Sequence, residues 1–322
     1  MNRYVRQISV PEFGKDRQLL LSKACVLVIG AGGLASPVLQ YLVGAGVGHI
    51  RLVDPDLVEI SNLHRQTLFR EADIGQSKAS VSAAHMSRLN SDCHIDALVA
   101  RFDPDTAAAF CNNVNLVLDC ADSFAVSYIA SDYCLTAGIP FVTASVIGTS
   151  GYCGGFCGKA PGLRAVFPNL PESLGSCDSD GVLGPSVGVI GSLQAQMALA
   201  VLCEIEPSPL GKLVTYDALK YRFGGFRFDE AKNPKPKPNF ITANAIKHDD
   251  FLVDLRAQDE LGPKLNNAQR FSVADFIVNV PNPNINQRAV LACRSGLRAW
   301  QAAEQLSITW PGEIVLIALG NN

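Results

Sequence analysis

A chain of 322 residues with 48% hydrophobic content is long enough for two ordinary cores, and a net charge of −3 leaves no basic footprint for a nucleic-acid partner. The opening MNRYVRQISV lacks the apolar core of a secretory leader. The most apolar long segment, residues 187–205, is broken by Gly191, Ser192, Gln194 and Gln196, so a buried helix is expected there and no membrane span. Ten cysteines without an export signal read as reduced thiols, which makes the cytoplasm the expected compartment.

Residues 26–29 (VLVI) are a short apolar run, as in a strand buried on both faces. Gly30, Gly32 and Gly33 then permit a tight turn and close backbone approach to a phosphate, and a helix opening near Ser36-Pro37 would aim free N–H groups at it. A second strand, 49–53, ends in Asp54, placed to hold a ribose hydroxyl. That much is a generic nucleotide site. Asn62, Arg65 and Lys78 add polar and cationic groups just beyond it, which suits a triphosphate and argues against an NAD-dependent dehydrogenase. The spacing of Ala79, Val81, Ala83, Met86 and Leu89 predicts an amphipathic helix, and 95–99 and 114–118 read as further strands. The second runs into Asp119-Cys120-Ala121-Asp122. A carboxylate there lies at the edge where open α/β sheets bind ligands; Asp122 could also cap a helix over 123–137, and the two readings are compatible. Residues 139–146 predict a strand, and 148–157 are glycine-rich. Cys153 and Cys157 within them read as small apolar packers in preference to metal ligands. A loop over 176–185 carries Cys177, and a strand over 214–217 is expected to close the domain.

These motifs carry a resemblance. GAGGLA, LVDPDLVEISNLHRQ and IGQSKA, with RYVRQI before them, resemble the ThiF/MoeB/HesA superfamily, prokaryotic relatives of ubiquitin-activating (E1) enzymes, over residues 3–228. The resemblance implies a Rossmann-like, doubly wound E1-type α/β nucleotide-binding domain that takes ATP and Mg2+. It assigns the nucleotide to Gly30, Gly32, Gly33, Asp54, Ser61, Asn62, Arg65 and Lys78, and makes Asp122 the residue that contacts Mg2+-ATP and is needed for adenylation. It further implies a homodimer in which Arg6 crosses the interface to the partner's ATP. Cys177, within SCDSDGVLGP, matches the loop cysteine that attacks or traps an activated carrier. The chain also departs from the pattern. Ala35 replaces a glycine of the first motif, and Ser123 and Ser127 stand where the family has asparagine and arginine. The family's zinc site is two CxxC pairs; here Gly162 and Ala165 occupy the first, and 233–239, where the second should fall, has no cysteine. A structural zinc is therefore expected to be absent.

The run AKNPKPKPNF disfavours helix and sheet and predicts a semi-rigid extended linker over 231–241, dividing an adenylation domain (1–230) from a second domain (242–322). In that second domain, FLVDLR at 251–256 is followed by Glu260, and VLACRSGLRAW at 290–300 reads as strand, six-residue loop and helix. Such a loop turns its N–H groups inward, and a helix N-terminus is expected to lower the pKa of Cys293, with Arg294 and Arg298 adding positive charge. This resembles a smaller α/β rhodanese-like domain with Cys293 as sulfur carrier. Arg298 lies at C-x4-R, where a cysteine phosphatase would need C-x5-R. Together the halves resemble MoeZ-type fusions. The resemblance implies adenylation of the C-terminal Gly-Gly carboxylate of a small ubiquitin-like sulfur carrier protein, then sulfur transfer from a rhodanese persulfide charged by thiosulfate or a persulfide enzyme. Adenylation of another carboxylate or peptide C-terminus, and a non-catalytic carrier-binding role, are the alternatives.

Overall fold

The computed structural model describes residues 3–169, 181–234, 238–260, 262–284 and 286–320. Two short helices, α1 (Val5–Ile8) and α2 (Gly14–Lys23), precede the first strand, β1 (Cys25–Ile29). Val26 and Val28 of β1 enter one core, and Leu27 and Ile29 enter the other. That is why its sequence is apolar at every position and not at alternate ones. Helix α3 (Ala35–Ala45), β2 (His49–Val53), α4 (Lys78–Leu89) and β3 (His94–Leu98) carry the chain outward. Helix α5 (Ala107–Phe110) brings it back to β4 (Leu116–Asp119), α6 (Phe124–Ala137) and β5 (Pro140–Ile147). The sheet order is β3-β2-β1-β4-β5, all parallel. The order reverses between β1 and β4, and the crevice at their C-terminal ends is where such sheets hold ligands.

Three antiparallel strands extend the sheet: β6 (Ser150–Cys157), β7 (Lys212–Asp217) and β8 (Arg222–Arg227). The glycine-rich 148–157 stretch is thus mostly strand, and β7 does not close the sheet, because β8 adds an edge whose every residue is exposed. Cys153 and Cys157 are fully buried in opposite cores, against Met197 and Ser131 respectively, as expected of packers. Helix α7 (Gly184–Leu202) is long and apolar enough to cross a membrane, yet Val187, Ile190 and Ala198 are buried in the core. Its fully buried Gln194 donates to the carbonyls of Asp119 (2.8 Å) and Val142 (3.2 Å), so the polar interruption is satisfied.

A second, all-parallel sheet has the order β11-β10-β12-β13-β9. It comprises β9 (Asn239–Phe240), β10 (Phe251–Asp254), β11 (Gln269–Arg270), β12 (Ala289–Cys293) and β13 (Ile314–Ala318), with helices α8 (Val273–Val278) and α9 (Leu297–Thr309). Strand β9 corrects the reading of 231–241 as linker throughout. Phe240 is buried beside Phe124 and Trp300, with ring centroids 6.3 Å from each, and this burial draws Asn239–Phe240 into the sheet.

The two sheets share a core through α6 and α9. Tyr128 and Trp300 lie 5.0 Å apart, and the buried Arg164 guanidinium lies 4.9 Å and 5.1 Å from their ring centroids. Arg164 also grips Asp132 (Nη2–Oδ2 2.8 Å) and donates to the Pro238 carbonyl at 3.2 Å. Where the family would place its zinc knuckles, the Gly162 N–H donates to Asn233 Oδ1 at 2.7 Å. A direct hydrogen bond and an aromatic-flanked arginine hold that lobe.

Candidate active site

The glycine loop is shaped by close approach. Gly30 has φ +91°, and a Cβ there would lie 2.9 Å from the Cys120 carbonyl oxygen and 3.0 Å from the Ala121 nitrogen. A Cβ at Gly33 would meet Val187 Cγ1 at 2.8 Å, whereas at Gly32 the nearest atom would be Gln66 Nε2 at 3.7 Å. The first and third glycines therefore seat the loop on β4 and α7, whereas a Cβ at the second would make only an ordinary van der Waals contact. Asp54 is buried: Oδ2 accepts from the Ala31 N–H at 2.7 Å and Oδ1 from the Asp56 N–H at 2.8 Å. Burial raises its pKa, against the pull of those two N–H groups and of Lys78. Its carboxylate fixes the loop.

Beside this loop stand the predicted cationic and polar groups. Lys78, the first residue of α4 and 8% exposed, reaches Asp56 Oδ2 at 3.1 Å. Arg65 donates to the Ser61 carbonyl at 3.1 Å and lies 2.8 Å from His64 Nε2. Asn62 is buried; its Oδ1 accepts from the Glu59 N–H at 3.3 Å and its Nδ2 donates to Ser61 Oγ at 3.3 Å. A Cβ on Gly33 would also come within 3.4 Å of the Arg65 carbonyl oxygen, so this cluster and the loop are one assembly.

Asp122 is exposed and makes no hydrogen bond to another described residue. The cap of α6 is Ser123, without a side-chain bond, so the capping role for Asp122 is not adopted and its carboxylate is left for the crevice. Asp119 escaped the sequence reading. It is fully buried, with Oδ2 accepting from Thr143 Oγ1 at 2.7 Å and Oδ1 from the Ala121 N–H at 3.1 Å. Burial pushes its pKa up to about 6, against hydrogen bonds from Ser127, Thr143 and Ala121. Its position at the end of β4 was visible in DCAD; its burial was not. Ser127, in the place of a family arginine, donates its hydroxyl to the Ser123 carbonyl at 3.4 Å. Asp56, the partner of Lys78, was likewise missed. Arg6 is exposed on α1 and makes no hydrogen bond to another described residue. Cys177 lies outside the described residues. A cavity of about 570 Å3 opens between the ends of β5 to β8, lined by Ser145, Tyr152, Tyr216, Arg222 and Phe223 among others.

Cys293 ends β12, and only residues 294–296 separate it from α9, which corrects the six-residue loop. Gly296, at φ +87°, turns the chain so that its own N–H (3.1 Å) and that of Ala299 (3.4 Å) donate to Sγ. The thiol is fully buried, and that burial outweighs the N–H groups and Arg298, so its pKa is raised. The expected lowering is therefore not obtained: the helix terminus acts, but on a desolvated group. Arg298 pairs with Glu260 through two bonds, Nη1–Oε2 2.6 Å and Nη2–Oε1 2.5 Å, and Arg256 pairs with Asp254 at 2.9 Å. A Cβ on Gly296 would touch Phe240 Cε1 at 2.8 Å, and Phe240 packs on Phe124, two residues after Asp122. Arg101, just beyond β3, donates to the Leu319 carbonyl at 2.6 Å, and Gly320 N donates to the Arg294 carbonyl at 2.7 Å. The turn after Cys293 therefore abuts the C-terminal edge of the first sheet.

The ThiF family model matches residues 4–239. Adenylyltransferase and sulfurtransferase MOCS3 of Bos taurus is 41% identical over 239 residues, covering 73% of this chain and 52% of that protein. UBA4 of Yarrowia lipolytica, with the same description, is 41% identical over 208 residues (62% and 51%). MOCS3 of Anopheles gambiae is 37% identical over 290 residues (85% and 64%). The chain spans about half the length of the first of these curated relatives. Among solved structures, E. coli MccB with ATP aligns with TM-score 0.63 at 21% identity, covering 74% of each chain. PaaA aligns with TM-score 0.59 at 18% identity over 70% of this chain and 72% of that one. At these identities the likeness is one of fold.

Proposed function

The chain belongs to the ThiF family, and from that premise we propose that it adenylates the C-terminal carboxylate of a small ubiquitin-like sulfur carrier and converts it to a thiocarboxylate. The observation that carries this reading is the convergence, at one sheet edge, of the Gly30–Gly33 loop, Arg65, Lys78 and the unengaged Asp122 carboxylate. The donor set fits a triphosphate: backbone N–H groups and two cations would meet the phosphates. Mg2+, held through Asp122, would supply charge neutralisation at the phosphates. The protein positions the carboxylate on the α-phosphorus; pyrophosphate leaves and an acyl-adenylate remains. The cavity beside β5 to β8 offers room for an extended carrier tail ending in Gly-Gly. Arg6, exposed on α1, would complete the site of the other subunit in a homodimer.

Sulfur then comes from Cys293. Its thiolate takes the outer sulfur of thiosulfate, releasing sulfite, or that of a persulfide enzyme, releasing the enzyme's thiolate; the terminal sulfur of the persulfide so formed attacks the acyl carbon and expels AMP. The Cys177 thiolate attacks the resulting acyl disulfide, freeing the thiocarboxylate and leaving a Cys177–Cys293 disulfide for an external thiol to reduce. The names of the MOCS3 and UBA4 relatives support both activities. A four-cysteine zinc has no part in this scheme, since Gly162 and Ala165 carry no thiol and residues 233–239 include no cysteine. The expected compartment is the cytoplasm. ATP–pyrophosphate exchange with and without Gly-Gly-ended carriers tests the reading. Exchange only with such a carrier supports it, exchange with other peptides moves the substrate, and no exchange with bound carrier leaves a binding protein.

A further inference from the structure

The opposite end of the first sheet carries a cluster that this chemistry does not use. Cys25, His49 and His94 open β1, β2 and β3 and are direct cross-strand partners, so three donor-bearing side chains stand in one row. Asp96 follows two residues after His94, on the same face of the edge strand. Its carboxylate joins both rings, with His49 Nε2 2.8 Å from Oδ2 and His94 Nε2 3.0 Å from Oδ1. The donor atoms of His49, His94 and Asp96 all lie within 4.8 Å of one another, and among the described residues no other such trio of His, Cys, Asp or Glu occurs.

We infer that this cluster is a surface site for a divalent transition ion of the zinc class, bound by His49 Nε2, His94 Nε2 and one Asp96 oxygen, with water completing the shell. Ligands bonded at about 2.0–2.2 Å sit roughly 3 Å apart around such an ion. His49 Nε2 already meets that spacing with Oδ2 and His94 Nε2 meets it with the neighbouring Oδ1; His94, with a side chain 71% exposed, is free to turn and bring its nitrogen to His49 and the shared oxygen. Two imidazoles and a carboxylate favour zinc-class ions over Mg2+ or Ca2+, which take oxygen shells. Cys25 Sγ lies 3.6 Å from His49 Nδ1 and acts as the outer partner that leaves Nε2 to the ion. The neighbouring cation, Arg51, is turned onto the Phe110 carbonyl at 2.6 Å. The ion would pin the edge strand β3 to β2, at the strand ends remote from Gly30 and Asp122, so it would not compete with Mg2+-ATP.

The full chain, stripped with chelator, is titrated with Co2+ and then Zn2+, reading Co2+ d–d absorption and the thermal midpoint. One ion per chain is expected, with a raised midpoint. His94→Ala and Asp96→Asn should each weaken binding about tenfold or more while leaving the metal-free midpoint near wild type. Mg2+ at equal concentration should do nothing. Unchanged affinity in both variants overturns the site, as does no binding at about 0.1 mM ion. So does a thiolate charge-transfer spectrum lost in Cys293→Ser, which would put the ion on the sulfur machinery.

Discussion

The glycine loop after β1 and the turn after β12 are the same device put to opposite uses. Each succeeds a buried parallel strand, reverses at a positive-φ glycine and leads into a helix. In the first, the Gly30 and Ala31 N–H groups are taken by the Val53 carbonyl and by Asp54, which braces the loop from behind, and Asp122 is exposed at the rim. The second turns its N–H groups onto its own chain, at the buried Sγ of Cys293. The first is an open nest at a sheet edge, whereas the second is a closed one around a thiol whose pKa burial raises. The difference lies in the residues after the glycine: small ones in the first turn, an arginine clamped by Glu260 in the second.

Five substitutions, in four steps of expected effect, should break or sharpen that contrast. The largest effect belongs to the closed nest: Cys293→Ala should abolish sulfur delivery from thiosulfate while carrier adenylation continues. Mass spectrometry of the carrier reads this as loss of the roughly 16 Da gain for oxygen replaced by sulfur. Cys177→Ala, by contrast, should spare adenylation and slow thiocarboxylate release. At the open nest, Asp122→Ala should cost two decades or more in pyrophosphate exchange, each decade being about 1.4 kcal/mol, without moving the thermal midpoint. A rate within about threefold of wild type would remove Asp122 from the chemistry. Third is the carboxylate behind the open nest. Asp119 has a folded pKa of about 6, above its unfolded value, so the stability associated with its protonated form is fully present below pH ~4 and lost as pH rises through ~6. Asp119→Asn should remove that slope, worth roughly 3 kcal/mol from about two pKa units; equal denaturation midpoints for the two proteins across pH 4–8 would contradict it. The smallest effect is expected of Arg6→Ala, an approximately tenfold weaker ATP affinity without loss of fold. Unchanged ATP binding, or a monomer at micromolar concentration, would refute the cross-subunit role.

The first sheet was legible where burial is two-sided or a motif sets the backbone. The expected strand 49–53 coincides with β2, and Gly30 sits where its φ demands. Strand β8 was not legible, since all of Arg222–Arg227 is exposed and two glycines interrupt it, leaving no pattern of burial to read. Nor was the state of Cys293: sequence spacing shows a helix N-terminus beside a thiol but not how deeply the thiol is buried, and burial decides the sign of the shift. Asp119 and Asp122 illustrate the same point. Three residues apart at one strand end, one is enclosed and the other exposed, because only the first still belongs to β4.

The packing of Arg164 over the Tyr128 and Trp300 rings bears on how freely this chain's parts can be exchanged. Cutting in the proline-rich stretch would bare Trp300 and Phe240 on one fragment and strand a buried guanidinium on the other. The module that could be grafted onto another scaffold is therefore larger than residues 242–320. It needs the outer face of α6 and the turn at Leu163–Ala165 along with it, and a chimera joined at the linker alone would begin life with a sticky, mismatched seam.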